Sequence, residues 1–276
     1  MGTKETREYY ERTQFLYNLL WSKKALSYGF WKPETKSIDD AIENQHQLVR
    51  NLLQIKNTDH LLDLGCGTGG CAIRLAQLTG CRVTGITLSE KQIAQANRMA
   101  KSTGVEKLVS FQCVNFEQPL PFKNESFTKA YSVEALIYAL DKAAVLKEAF
   151  RVITPGGLFL VLDGFLRVYP LPQDQMESFQ TCITGWSVTN VAEKKQFQTD
   201  LKRAGFSLLQ WADMTCEVIA LSQRIKRRGL FLWPITFLLS EFHIIPKALH
   251  QNTLTMIEQR RAFDTFAEYG VVLASR

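Results

Sequence analysis

The stretch Leu61-Leu62-Asp63-Leu64-Gly65-Cys66-Gly67-Thr68-Gly69 constrains the fold of this chain more than any other. A short apolar run that ends in Gly reads as a strand buried on both faces. Glycines directly after it let the backbone pass close to a ligand with no Cβ in the way. Residues 69–79 carry helical spacing, so the loop opens a helix whose first N–H groups are free to face an anionic group.

The same alternation continues downstream. Residues 81–88 read as a second strand and 89–100 as a helix, with Ser89 as N-cap and Gln92 at the capping-box position. Strands follow at 108–114 and 127–133, a helix at 141–151 that ends before Pro155-Gly156-Gly157, and a strand at 158–164. Strand and helix in turn over 60–164 predict a parallel sheet with helices on both faces and right-handed crossovers. Beyond 164 the pattern changes to a helical cap over 165–193, a helix over 196–206 stopped at Gly205, a strand at 208–214, a helical insertion and a final strand at 268–275. Residues 5–55 read as helical and aromatic-rich, with Tyr9, Tyr10, Phe15, Tyr17, Trp21, Tyr28, Phe30 and Trp31, a density that suits either a helix packed on a core or a lid over an apolar pocket. The expected organisation is an N-terminal helical lid over 1–55, a ligand-binding core over 56–164, and a helical cap and insertion with the last strands over 165–276.

Composition removes several classes. With 46% apolar and 22% charged residues in 276, the chain has ample surface to bury and is not disordered as a whole. Its 16 Gly and 6 Cys exclude collagen-like and disulfide-scaffold chains. No two cysteines form a C-x-x-C pair and none has a histidine at ligand spacing, so reduced thiols and no metal are expected. The start shows no signal-peptide core, which suits a cytoplasmic protein, although Gly2 and Thr6 formally match a short acylation pattern. The net charge of +6 permits an acidic substrate or peripheral contact with an anionic membrane. No nucleic-acid partner is expected, because basic and stacking residues do not share a face. The most apolar stretch, 229–239, is too short to span a bilayer and reads either as a buried or pocket-lining helix or as a membrane-touching surface. Arg224, Lys226, Arg227 and Arg228 precede it, and would suit an amphipathic anion, a phospholipid surface or a solvated helix face.

A glycine loop of this kind also opens dinucleotide-binding domains, which need an acidic residue at the end of the next strand. Here that strand ends Gly85-Ile86-Thr87-Leu88, with no carboxylate.

Four segments in order resemble the class I S-adenosylmethionine-dependent methyltransferases: LLDLGCGTG at 61–69, VTGITLSEKQIAQA at 83–96, VNFEQPLPFKNESFTKAYSVEAL at 114–136 and LKEAFRVITPGGLFLVLD at 146–163. ALSYGFW at 25–31 and the cap segments resemble the small-molecule branch, which includes sterol, tocopherol and isoprenoid methyltransferases. The resemblance implies a Rossmann-like, seven-stranded, mostly parallel sheet and S-adenosyl-L-methionine as cofactor. Carried over residue by residue, it implies cofactor contacts at Tyr28, Gly29, Asp63, Gly65, Cys66, Gly67, Asn115, Phe116 and Ser132. At Thr87, where most relatives hold the ribose with an acid, this chain matches the Thr-Leu-Ser-x-x-Gln subset, so Thr87, Leu88 and Gln92 take over ribose and adenine contacts, or simply cap the helix.

Methyl transfer from a sulfonium is an in-line displacement in which the protein mainly positions and desolvates. Methylation of an alkene carbon leaves a cation that needs π faces or carboxylates around it and a base to remove a proton. Glu134 and Tyr138, after the fourth strand, are the candidate catalytic residues, with Tyr138 standing where many relatives have His. Tyr9, Tyr10, Trp31 and Trp186 are the candidate substrate-binding residues. Val133-Glu134-Ala135-Leu136-Ile137-Tyr138 departs from the cyclopropane synthase pattern, so ring formation is not expected. The expected acceptor is a hydrophobic or amphipathic small molecule, a terpenoid, sterol-like or prenylated compound, with carbon slightly favoured as the acceptor atom. O- or N-methylation of a polar metabolite, and an inactive cofactor-binding partner subunit, are the alternatives. A monomer and a homo-oligomer are both compatible with the sequence.

Overall fold

The computed structural model describes residues 27–276 apart from Thr189 and Pro246. The expected N-terminal helix with Tyr9 and Tyr10 therefore lies outside the described residues.

Helix α1 (Ile38–Leu52) begins at a capping box: the Ser37 hydroxyl accepts from the Asp40 N–H and the Asp40 carboxylate accepts from the Ser37 N–H. Its buried face holds Ala41, Ile42 and Val49, with Gln45 and His46 between them. The core then alternates β1 (His60–Leu64), α2 (Gly70–Thr79), β2 (Arg82–Thr87), α3 (Glu90–Ser102), β3 (Val109–Cys113) and β4 (Phe127–Val133). A 3-10 turn at Leu136–Tyr138 leads into α4 (Lys142–Val152) and β5 (Ile153–Leu166). The cap helices α5 (Gln173–Gly185) and α6 (Lys194–Arg203) precede β6 (Ser207–Asp213). Two long helices, α7 (Thr215–Glu241) and α8 (Lys247–Thr265), come before β7 (Ala267–Ser275).

The sheet has seven strands in the order β3-β2-β1-β4-β5-β7-β6, and only β7 runs against the others. Strand β1 sits between β2 and β4, so the winding reverses there and a crevice opens at the carboxyl ends of β1 and β4. Leu61, Leu62 and Leu64 of β1 are fully buried. Each such side chain contributes about 1.5–3 kcal/mol relative to an exposed one, and helices on both faces supply the cover.

Three local expectations are corrected. β5 does not start after Pro155-Gly156-Gly157 but runs through it, with a register shift opposite Phe127 and Lys129. The chain bulges there because Gly157 lies so close to β4 that a Cβ would stand 2.4 Å from the Thr128 carbonyl oxygen. At α3, the Ser89 hydroxyl does cap the helix by accepting from the Gln92 N–H, but Gln92 completes no capping box: its Oε1 accepts the Thr87 hydroxyl at 2.7 Å.

The third correction concerns 229–239. These residues are neither buried nor pocket-lining over most of their length. The first turns of α7 bury Val218, Leu221 and Ile225 against the body, while Leu230, Phe231, Trp233, Ile235, Phe237 and Leu238 are exposed. α8 folds back along α7 in an antiparallel hairpin, packed closely at Gly229, where a Cβ would stand 3.0 Å from Met256 Cβ. Among the described residues no helix is long and apolar enough to cross a membrane.

Candidate active site

The loop after β1 is held by its own backbone. Gly65 and Cys66 both donate to the Ile86 carbonyl, at 3.0 and 2.9 Å, which ties the loop to the end of β2. Gly65, at φ 91, passes against the chain that leaves β4, where a Cβ would stand 2.2 Å from Ala135 Cβ. Gly67, at φ 51, is different: no atom lies within 4 Å of where its Cβ would be, so it opens onto free space. Gly69 at φ 79 then caps α2.

This free space is a cleft. Asp63, Gly65, Cys66, Gly67, Thr87, Leu88, Gln92, Phe116, Glu134 and Tyr138 line it. Asp63 is 2% exposed. Burial pushes its carboxyl up to about 7, against the Tyr131 hydroxyl, which donates to it and favours the charged form. Cys66 and Cys71 are pushed well above the usual thiol range, first by burial and then by the neighbouring Asp63, so neither is a thiolate nucleophile.

Glu134 directly follows β4 and lies in the left-handed region, at φ 52, an uncommon conformation for a residue with a side chain. Its N–H bonds to the Leu162 carbonyl at 2.7 Å, which fixes the residue against β5. The carboxylate turns inward and accepts from the Tyr269 hydroxyl at 2.7 Å, the Tyr28 N–H at 3.0 Å and Gln45 Nε2 at 3.4 Å. Burial still outweighs these donors and raises the carboxyl to about 7. Asp163, behind the Leu136–Tyr138 turn, is likewise pushed up to about 6 by burial, while it accepts the Ile137 N–H at 2.9 Å.

Several sequence candidates lie off the cleft wall. Gly29 serves a close approach: a Cβ there would stand 2.5 Å from the Ala41 carbonyl carbon at the start of α1. The Ser132 hydroxyl is buried and donates to the Leu64 carbonyl, joining β4 to β1. Asn115 Oδ1 accepts the Glu117 N–H and shapes the turn that presents Phe116. Trp31 lies against α7, its backbone N–H donating to the Glu217 carbonyl at 2.9 Å and its ring covered by the Arg224 guanidinium at 3.7 Å. Sequence reasoning missed Gln45 and His46, both buried and both on the wall. The signal was two polar residues on the otherwise apolar stripe of α1. It also missed Tyr269, for which no local signal exists, because the strand that carries it comes from the far end of the chain.

Trp186 lies on a second cavity, between α5, α8 and the end of β5. Its walls are Phe165, Leu166, Phe179, Ile183, Val188, Val191, Phe263 and Phe266, with Gln259 as the one amide. Tyr28 connects the two cavities. Its N–H meets Glu134 of the first, its hydroxyl donates to Gln259 of the second, and its ring stands edge-on to Trp186 and Phe263 at 6.1 and 5.7 Å between centroids.

A doubly wound sheet with one reversed strand between β5 and β6, and a glycine-floored cleft at its switch point, defines the Rossmann-like methyltransferase fold. A family model described as a methyltransferase domain matches residues 55–205. The chain is 32% identical over 197 residues to 27-O-demethylrifamycin SV methyltransferase of Amycolatopsis mediterranei, covering 71% of each. It is 31% identical over 212 residues to a sterol 24-C-methyltransferase of Aspergillus fumigatus, covering 76% of this chain and 55% of that one. Geranyl diphosphate C-methyltransferase from Streptomyces coelicolor, solved with Mg2+, geranyl diphosphate and S-adenosyl-L-homocysteine, shares the fold at a TM-score of 0.71 and 19% identity over 91% of both chains. The chain belongs to this methyltransferase family. It is an S-adenosylmethionine-dependent methyltransferase.

Proposed function

We propose that the cleft holds S-adenosylmethionine and that the acceptor is an apolar or amphipathic small molecule, a terpenoid, sterol-like or prenylated compound, lodged in the second cavity. The observation that carries this reading is the cavity itself: aromatic and aliphatic walls with a single amide, joined through Tyr28 to the carboxylate that directly follows β4. Such walls offer a polar acceptor little to bond to and offer an apolar one a large contact area.

Three features of the cleft suit a cationic cofactor. Asp63 is a buried carboxyl beside the glycine floor. Gln45 is fully buried, and its Oε1 has no hydrogen-bond partner among the described residues. Gly67 leaves room that a side chain would fill. In this reading Asp63 and Gln45 accept from the cofactor ammonium, Thr87, Leu88 and Gln92 hold the ribose side, and Phe116 covers the adenine. The bound cofactor supplies a methyl group already activated on a sulfonium. Residues 56–164 form the cofactor-holding core, and 165–276 supply the cap that walls the acceptor.

The protein's own part is positioning and charge. At carbon, the acceptor gains a methyl group and then loses a proton, and the Glu134 carboxylate takes that proton. A carboxyl held near neutrality is matched to this task. The Trp186 ring, on the cavity wall, offers a π system to transient positive charge on the acceptor. A hydroxyl oxygen of the same class of compound is the second reading, supported by the relative whose name records an O-demethylated substrate. Incubation with methyl-labelled S-adenosylmethionine and an organic-phase metabolite extract tests the reading. Label in the organic phase, placed by mass spectrometry, is expected. Label confined to the aqueous phase refutes it.

A further inference from the structure

The α7–α8 hairpin carries a surface that methyl transfer does not use. Residues 224, 228, 231, 235, 238 and 242 follow each other at alternating steps of four and three, so they lie on one face of α7. That face reads Arg224, Arg228, Phe231, Ile235, Leu238, Phe242. It is cationic nearest the body and apolar to the tip, over roughly 27 Å at 1.5 Å per residue. The apolar part is open: Phe231 is 74% exposed, Phe242 just past the helix end is 73% and Ile244 in the following turn is 66%. Soluble proteins rarely leave contiguous aromatic and aliphatic surface of this kind unpartnered.

Charge says which partner suits it. Between residues 224 and 250 the chain carries Arg224, Lys226, Arg227, Arg228 and Lys247 against the single carboxylate of Glu241. Pairing with a second copy side by side would bring these cations together. A phospholipid surface with anionic headgroups accepts both halves of the face at once, since the apolar residues enter the headgroup and acyl boundary and the arginines stay at phosphate level. Because no helix among the described residues can span a bilayer, the contact is peripheral.

We propose that the α7–α8 hairpin docks the protein on anionic phospholipid membranes through Phe231, Ile235, Leu238 and Phe242, with Arg228 and, exposed beside that face, Arg227 at the headgroups. The proposal stands independently of what the acceptor is.

The test is flotation of the full chain with vesicles of phosphatidylcholine alone, or with about one third phosphatidylglycerol. Binding to the mixed vesicles is expected to be at least about tenfold stronger than to the neutral ones, and to weaken as salt rises. The triple variant Phe231→Ser, Leu238→Ser, Phe242→Ser should lose about tenfold or more on the mixed vesicles. The pair Arg227→Ser, Arg228→Ser should lose the preference for anionic lipid. Unchanged circular dichroism and S-adenosylhomocysteine affinity certify that the variants are folded. Absence of binding to the mixed vesicles at low salt overturns the proposal. So does equal binding to both vesicle types. So does a solution dimer that the triple variant dissociates while vesicles bind neither form. The failure of this test leaves the labelled-methyl experiment untouched, and the reverse holds too.

Discussion

The cleft at the ends of β1 and β4 and the cavity between α5 and α8 meet at Tyr28, yet they are built in opposite ways. The cleft is made by backbone and buried polar groups at the ends of the central strands, a positive-φ loop, Asp63 and Glu134, with Gln45 reaching in from α1. The cavity is made by apolar side chains from β5, α5 and the loop after it, and α8 and its end, segments far apart in sequence. The contrast separates two tasks. On the reading proposed above, a fixed cationic cofactor is held by groups set by the sheet and α1, and a variable acceptor meets a wall that changes by substitution without disturbing the sheet.

The largest effect expected is at the floor of the cleft. Gly67→Val places a β-branched residue at φ 51, which costs about 1–3 kcal/mol before overlap with a ligand is counted. Affinity for S-adenosylhomocysteine should fall by about a thousandfold or more by calorimetry, while acceptor binding to the cavity stays. Retained cofactor affinity would break the assignment of the loop. Glu134→Gln should lower single-turnover rates by about a hundredfold or more, with cofactor affinity changed far less. A rate loss matched by an equal affinity loss would make Glu134 a cofactor ligand rather than the base.

Trp186→Ala addresses the other side. It removes a ring from the cavity wall and should raise the acceptor KM by about tenfold or more at unchanged cofactor affinity. A change in cofactor affinity instead would mean that the two cavities act as one.

The smallest effect is on pH. Asp63 and Glu134 are both raised to about 7 by burial. A raised carboxyl favours the protonated folded form, so its contribution to stability is complete below the unfolded values of about 3.8 and 4.5 and is lost as pH climbs through about 7. A cationic cofactor reverses the balance at Asp63 by pairing with its charged form. Its affinity should therefore rise about tenfold from pH 6 to pH 8 for one controlling group, with proton release at pH 6 visible in buffers of different ionisation enthalpy. A flat profile would remove Asp63 from the cofactor site.

The same contrast governs what could be read from the sequence. The cleft was largely legible because its determinants are local. Gly65, Gly67, Thr87 and Glu134 sit at strand ends and Gln92 in the first turn of α3, where pattern and turn chemistry fix the geometry. Gln45 was readable in principle, as an amide on an apolar helix stripe. The cavity was not legible beyond Trp186, because Phe165, Ile183 and Phe263 are ordinary apolar residues in their own segments and only tertiary packing brings them together. The stretch 229–239 misled in one of its two readings, since high apolar content says nothing about which side of a helix meets protein.

Strand β7 has a consequence in time. Of the seven strands it is the last to leave the ribosome, yet it lies between β5 and β6 and supplies the whole ladder of β6. Until it arrives, a nascent chain carries a half-paired β5, an orphan β6 and a Glu134 without the Tyr269 hydroxyl. Synthesis from the N-terminus can lay down the cofactor cleft early, but the carboxylate at its edge is set only when the final strand is threaded home.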